Sequence, residues 1–292
     1  KMLPFDNKNE FQVVIDMPEG TTLERTAAVT KEIAQYLSQK PQVVDYQNYI
    51  GTSAPITFNG LVRHYDLRGG SNMADIQVNL LHKEDREQQS HDIAKEVRPE
   101  IQKIAKKYGA NVKIIEVPPG PPVLSTLVAE IYGPEYQEQI KVAKQVKTIL
   151  EQTSDIVDID WMVEDAQTEY RLEVDKERAM LNGVASQQIV GNLTYLLKEY
   201  PVSQLYDENS NDQVGIVLSL DDSEKSDLQD ITSLKVKGSH GNMIPVSDLV
   251  KVVRDTLNKT IYRKDQKRVV YVTADMAGAL ESPVYAILGM NE

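Results

Sequence analysis

Two periodicities alternate over the first 118 residues of this chain, and their order constrains the fold more than any other feature. Phe11 to Met17 is apolar and β-branched and ends in Pro18-Glu19-Gly20, the pattern of a strand running into a turn. Apolar residues then recur at helical spacing through Leu23, Ala27, Val29, Ile33, Tyr36 and Leu37, with Thr22 placed to cap the helix and Pro41 to close it. Val43 to Ile50 and Ala74 to Leu81 read as strands, the second alternating through Ile76, Val78 and Leu80, with a Gly- and Ser-containing loop between them. A second helix runs from Ser90 along Ile93, Val97, Ile101, Ile104 and Ala105 to a Gly109 cap, and Val112 to Val117 supplies a last strand. The order β-α-β-β-α-β with two crossover helices predicts the ferredoxin-like split β-α-β arrangement, both helices on one sheet face.

After Pro118-Pro119-Gly120-Pro121-Pro122 the pattern restarts, with a strand at Leu127 to Tyr132, a helix at Tyr136 to Gln152 and a strand at Ile156 to Met162. Gly20 to Tyr46 and Gly133 to Asp160 each run from a turn through an amphipathic helix into a strand containing Val or Ile beside Asp, as a duplicated module would. From Glu169 to Val253 the texture changes to short strands and short helices, among them Lys176 to Leu181 and a Ser186-capped helix to Leu197, which reads as an insertion. Val269 to Thr273 and a helix after Ser282 resume the interrupted unit, whose last strand is missing. The expected class is α+β: two ferredoxin-like subdomains, 1–118 and 119–165 with 261–292, and an α+β subdomain inserted at 166–260.

Composition narrows the function. A formal net charge of -12 disfavours a phosphate-binding surface, so no nucleic-acid partner is expected. The chain has no cysteine, which removes disulfides, thiolate metal sites and cysteine nucleophiles. No apolar run approaches the ~18 residues that span a bilayer. The abrupt start at Lys1-Met2-Leu3-Pro4 and the stop at Met290-Asn291-Glu292 within a helical pattern lead us to expect a piece of a longer protein.

Four stretches resemble one family. Lys1-Met2-Leu3-Pro4-Phe5-Asp6 is similar to the exit from the seventh membrane helix of resistance-nodulation-division (RND) efflux transporters of the acriflavine-resistance type. Met17-Pro18-Glu19-Gly20-Thr21-Thr22-Leu23-Glu24-Arg25-Thr26 resembles the Pro-x-Gly-x-Thr-x-x-x-Thr start of that family's next helix. Leu172-Glu173-Val174-Asp175, continuing through Lys176, Ala179, Gly183-Val184 and Ile189, resembles the Asp-x-x-x-Ala-x-x-x-Gly-Val stretch leading into the docking, or funnel, subdomain. Asn242-Met243-Ile244-Pro245-Val246-Ser247-Asp248-Leu249 resembles the stretch that ends it, and Ile261 to Val270 the strand that follows.

The resemblance implies the second large periplasmic loop of a proton-driven exporter of the inner membrane, with porter subdomains at 1–118 and at 119–165 with 261–292 around a docking subdomain at 166–260. It implies a small-molecule efflux substrate, a homotrimer in the intact pump, a periplasmic adaptor (membrane fusion) protein and an outer-membrane channel. Proton-carrying residues would lie on membrane helices outside this chain, and no catalytic residue, metal ligand or cofactor is expected. A stand-alone periplasmic ligand-binding protein and a metal-exporting RND member are the alternatives.

Candidate substrate-binding residues follow from position in the family. They are Tyr46, Asn48, Tyr49 and Ile50 with Phe58, where the family lines its distal pocket, and Pro121, Val123 and Ser125, where its entrance cleft lies. Multidrug members carry several phenylalanines in that pocket, whereas this chain has three in all. Tyr46, Tyr49 and Ile50 are equally readable as core and rim of a sheet, and the residues around Pro121 as a plain linker. The histidines His64, His82, His91 and His240 follow no zinc or nucleophile spacing and read as solvated or structural. Asp158 with Asp160 and Asp221 with Asp222 read as strand-end or turn carboxylates, and the eight methionines are scattered.

Overall fold

The structure, a computed structural model, describes residues 6–55, 58–117, 123–198, 200–278 and 281–290. The family-like stretch at 1–5 and the linker at 118–122, with Pro121, lie outside the described residues. Two compact units emerge, one built from 1–167 and 258–292 and the other from 168–257.

The first half of the larger unit holds β1 (Glu10–Asp16), α1 (Leu23–Leu37), β2 (Val43–Thr52), α2 (Phe58–Arg63), a 3-10 turn (Tyr65–Leu67), β3 (Gly69–Leu80), α3 (Ser90–Tyr108) and β4 (Asn111–Ile115). Its sheet is antiparallel throughout in the order β2-β3-β1-β4, which is the split β-α-β order. Phe11, Val13 and Ile15 of β1 and Ile76 and Val78 of β3 share one core with Ile33 and Leu37 of α1 and Val97 and Ile101 of α3. Both helices therefore cover one face, and each of these buried side chains stabilises the sheet by roughly 1.5–3 kcal/mol.

Local chemistry sets the ends of the helices. Thr22 makes no side-chain cap bond; α1 is held instead by Thr26, whose hydroxyl donates to the Ser71 carbonyl of β3 at 2.6 Å. The helix stops at Leu37, before Pro41, with the Ser38 N–H turned back to the Ala34 carbonyl. Gly109 closes α3 in the left-handed region, φ 72°, where a side chain would be strained. The segment between β2 and β3 is not a plain loop, because α2 and the 3-10 turn fill it and Gly69 to Ser71 already belong to β3.

The second half begins with β5 (Leu127–Tyr132), α4 (Tyr136–Gln152) and β6 (Ile156–Trp161). The smaller unit then follows: β7 (Thr168–Val174), α5 (Lys176–Leu181), α6 (Ser186–Leu197), β8 (Tyr200–Leu205), β9 (Val214–Leu218), α7 (Leu228–Ser233), β10 (Lys235–Lys237), β11 (Met243–Pro245) and β12 (Val250–Thr256). Among the described residues its strands pair as two-stranded antiparallel ladders, β7 with β12, β8 with β9 and β10 with β11. Ala179, Val184, Ile189, Val236, Ile244, Val246, Leu249 and Val250 make its core.

The motif shared with the family is structural here. Asp175 caps α5 by accepting from the Arg178 N–H at 3.1 Å, Ala179 and Val184 are buried, and Gly183 adopts φ 62° with its carbonyl accepting from the Ser239 N–H. Ser186 is not the cap of α6, since Ala185 stands there without a side-chain bond. The β8–β9 hairpin leaves Val202, Leu205, Val214, Ile216, Val217 and Leu218 exposed.

The chain then returns to the larger unit through β13 (Arg263–Lys264), β14 (Lys267–Met276) and α8 (Pro283–Gly289). β14 lies between β5 and β6, antiparallel to both, so the second half repeats the order of the first three strands of the first half. Leu127, Ala143, Leu150, Val270, Val272, Ala274 and Met276 form its own core.

Candidate functional site

β2 is the edge strand of the first sheet, and alternation divides its candidate residues between two faces. Tyr46, Asn48 and Ile50 lie opposite Val78, Ile76 and Ala74, on the face the helices cover, and Ile50 packs against the core. Tyr49 lies opposite Asp75 on the other face, its hydroxyl donating to Gln47 Oε1 at 2.6 Å. That face is polar: Gln77 donates to Glu10 at 3.0 Å and Asn79 to Asp45 at 2.6 Å. Phe58 opens α2, Val123 is exposed, and Ser125 is buried beside Asp275, on the second sheet rather than with β2.

Sequence reasoning missed the charged network that covers part of the polar face and runs on between the two halves. Asp75, in mid-β3, accepts from Gln12 Nε2 at 3.0 Å and from the Ala54 N–H at 2.8 Å, and it pairs with Arg68. Arg68 also reaches Asp16 and the Ile15 carbonyl. Lys113 of β4 pairs with Asp16 at 2.7 Å and, across to the second half, with Asp160. Arg68 and Lys113 both lie over the ring of Tyr65, 5.7 and 5.9 Å from its centroid.

The remaining links all join the halves. Arg63 of α2 pairs with Asp275 of β14 at 2.9 Å, and Asp275 also accepts from the N–H and hydroxyl of Thr126, both at 2.8 Å. Arg98 of α3 pairs with Asp158 of β6, which accepts from the Ile114 N–H at 3.3 Å. Asn111 of β4 donates to the Ile159 carbonyl at 3.3 Å. His91, in the first turn of α3, has Nδ1 2.8 Å from Glu116 and Nε2 2.8 Å from Glu281, and Lys95 donates to the same Glu281 oxygen at 3.1 Å. Asp158 and Asp160, read from the sequence as strand-end or turn carboxylates, lie within β6 and are two of the second half's carboxylates in this joint. The joint is made by side chains, and no backbone ladder links the facing edge strands β4 and β6 among the described residues.

Burial and pairing compete at each site. Burial would raise the Asp16 carboxyl, yet Lys113 and Arg68 hold it down at about 2. Burial would lower Lys113, and Asp160 and Asp16 more than reverse that, lifting it above its ordinary value. Asp275 is held low against burial by Arg63. In Asp75 and Asp158 burial prevails over Arg68 and Arg98, and both carboxyls move up. Between the halves lies a cavity of about 20 Å³ bordered by Arg63, Arg98, Glu116, Asp158 and Asp275, room for one water molecule. Arg63 Nε, Arg98 Nε and Glu116 Oε1 are buried without a hydrogen-bond partner, two donors and an acceptor on residues that border it.

The signal for this network was present in the text of the strands. Val112-Lys113-Ile114, Ala74-Asp75-Ile76 and Ala274-Asp275-Met276 each place one charge between buried apolar neighbours, and a charge is left in a strand interior only if a partner meets it there. Among the described residues, no group of three His, Cys, Asp or Glu is placed to hold a metal ion, and no helix is long and apolar enough to cross a membrane.

Two like-ordered sheets are coupled edge to edge by ion pairs, and a separate unit is inserted in the second. Residues 1–288 match the model of the AcrB/AcrD/AcrF family, and the chain belongs to that family of RND efflux transporters. It is 21% identical over 152 residues to the swarming motility protein SwrC of Bacillus subtilis, an alignment covering 52% of this chain and 14% of that protein. Two crystal forms of a heavy metal efflux pump share the fold, with TM-scores of 0.74 and 0.77 at 16% identity over 99% of this chain. The chain spans 29% and 30% of those pump chains, so it corresponds to less than a third of their length.

Proposed function

We propose that this chain is the periplasmic cargo-handling and partner-docking portion of a proton-driven RND pump of the inner membrane, exporting small molecules. One observation carries the reading: the two halves of the larger unit each have their own core and meet through side-chain ion pairs, not a shared ladder. Such halves move as near-rigid bodies, the hinge and shear motion that opens and shuts a cleft. The first half and the second are the porter subdomains, 1–118 and 119–165 with 261–292, and the segment 166–260 is the docking subdomain. In the intact pump it works as a homotrimer with a periplasmic adaptor and an outer-membrane channel, which the exposed apolar hairpin β8–β9 is suited to meet.

The polar face bearing Tyr49, Gln47, Gln77 and Asn79 favours an amphiphilic cargo over a purely aromatic one, because amides and a phenol offer hydrogen bonds beside modest apolar area. A metal cargo is the second reading, favoured by the heavy metal pumps of like fold. Against it, the soft donors are dispersed: Met17 lies in the first core, Met276 in the second, and Met180 and Met243 are exposed in the smaller unit.

These 292 residues contain no cysteine, so Asn111→Cys with Asp160→Cys places a thiol pair across the joint, any cysteine elsewhere in the full-length transporter being replaced first. In the full-length transporter, bridging that pair with a short bifunctional thiol reagent is expected to stop export, and each single variant treated alike is expected to keep it. Export at the normal rate with the pair bridged sinks the reading.

A further inference from the structure

His91 is the point of the joint where a ring faces a carboxylate on each side. Glu116 follows β4 in the first half, Glu281 precedes α8 in the second, and each offers an oxygen 2.8 Å from a ring nitrogen. The ring is mostly covered, as is Glu116, while Glu281 is a quarter exposed.

A neutral imidazole has one N–H and one lone pair. Set between two ionised carboxylates it can satisfy only one, and its lone pair meets the other; turning the ring over only exchanges the two. The doubly protonated ring donates to both. We propose that His91 is a proton-operated clasp between the two halves of the larger unit: charged, it bridges Glu116 to Glu281 and holds the halves shut, and on losing its proton it releases Glu281.

The release falls on the Glu281 side for a physical reason. Glu116 is buried, and leaving its nitrogen would strand a buried anion, whereas Glu281 keeps the Gly278 N–H at 3.2 Å, Lys95 at 3.1 Å and access to water. Lys95 also crosses the joint, but it is a third exposed, and exposed pairs hold weakly.

Among the described residues, charged groups facing His91 include Lys95 on its own helix, Glu116 from the end of β4 and Glu281 from the second half, and one turn beyond Lys95 comes the Arg98–Asp158 pair. Of the other links, Arg63 keeps its proton, Lys113 is lifted further from neutrality and Asp275 is held low by Arg63, while burial raises Asp158. Burial would lower His91, but hydrogen bonds and charge from Glu116 and Glu281 raise it above its ordinary 6.5. The sign follows. The clasp is fully present below 6.5 and is lost as pH rises through the raised folded value.

The clasp rests on the joint's geometry; its meaning for cargo rests on the exporter reading, in which acid outside the membrane would keep the cleft shut. The test needs no export. In the 292-residue chain, Lys103→Cys on α3 and Glu138→Cys on α4 take spin labels at exposed sites, one in each half. Label distances are measured between about pH 5.5 and about pH 9 while the His91 ring is titrated by NMR.

The expected result is a narrow distribution on the acid side that broadens to longer distances with the same midpoint as the ring. Glu281→Gln should move both midpoints together to lower pH, and His91→Gln should abolish the pH dependence. A distribution unchanged across the His91 titration, or one whose pH dependence survives His91→Gln, overturns the clasp and leaves the exporter reading untouched. If His91→Gln does not fold, the Glu281→Gln arm decides alone: midpoints that do not move together overturn the proposal.

Discussion

Arg63 and Asp275 are joined by an ion pair of 2.9 Å although 212 residues separate them in the chain. Both side chains are largely buried, so the pair matters less for what it adds than for what its loss leaves behind. Arg63→Ala is expected to cost about 3–5 kcal/mol, because an unpaired buried carboxylate remains. Adding Asp275→Asn should recover part of that loss, since the amide keeps an acceptor oxygen for the Thr126 N–H. Chemical denaturation of the two single variants and the double variant checks this; strictly additive losses would contradict it.

Asp16 makes a prediction about acid. Its folded carboxyl is depressed from 3.8 to about 2, so the stability it contributes is complete above 3.8 and disappears as pH falls through about 2. The shift corresponds to about 2 kcal/mol. Asp16→Asn should therefore lower stability at neutral pH by about that much and flatten the curve between pH 4 and pH 2, approximate bounds set by the two carboxyl values. Denaturation midpoints followed against pH give the comparison.

Tyr49 and Ile50 are neighbours with opposite fates. In the full-length transporter, Tyr49→Ala should change resistance to some compounds at normal protein abundance, since its ring lies on the polar face that α1 and α3 leave uncovered. Ile50→Ala removes a side chain that packs on the core and should cost ~2 kcal/mol and lower abundance. Normal export of every tested compound by Tyr49→Ala would remove β2 from the cargo site.

Gly183 should tolerate no side chain. At φ 62° an added Cβ would come within 1.9 Å of Ser239 Oγ and 2.8 Å of Ser239 Cβ, so Gly183→Ala adds backbone strain to a collision. A loss of roughly 1–3 kcal/mol, or more, is expected, and it should appear as faster amide exchange in the smaller unit with little change in the larger.

The fold was legible where one face of an element is buried and the other wet. Val13, Val97 and Ile76 sit at the period of their elements, and the strand order followed from the alternation they define. Which charges meet across the joint was not legible, because they come singly from different elements, and only the packed sheets bring Lys113 to Asp160 or His91 to Glu281. Nor could alternation alone tell which tyrosine of β2 faces outward, since a bulge near Val43 shifts the pairing at the strand's start. Capping was misplaced at Thr22 and Ser186 for a simpler reason: a hydroxyl residue at the right distance from a helix need not turn its oxygen to the backbone.

The position of β14 sets an order of events during synthesis. It is the middle strand of the second sheet, yet the whole smaller unit is inserted between it and β6, so β5 and β6 wait without their shared neighbour until residue 276 has been made. The first half has no such delay, since all four of its strands lie before residue 116. On a ribosome the first sheet is therefore complete while the second still exposes the two flanks that β14 will join, and the intervening 168–257 unit has to emerge before that gap can close. The second half is thus the stretch where a slowed or interrupted chain would be most open to wrong strand partners.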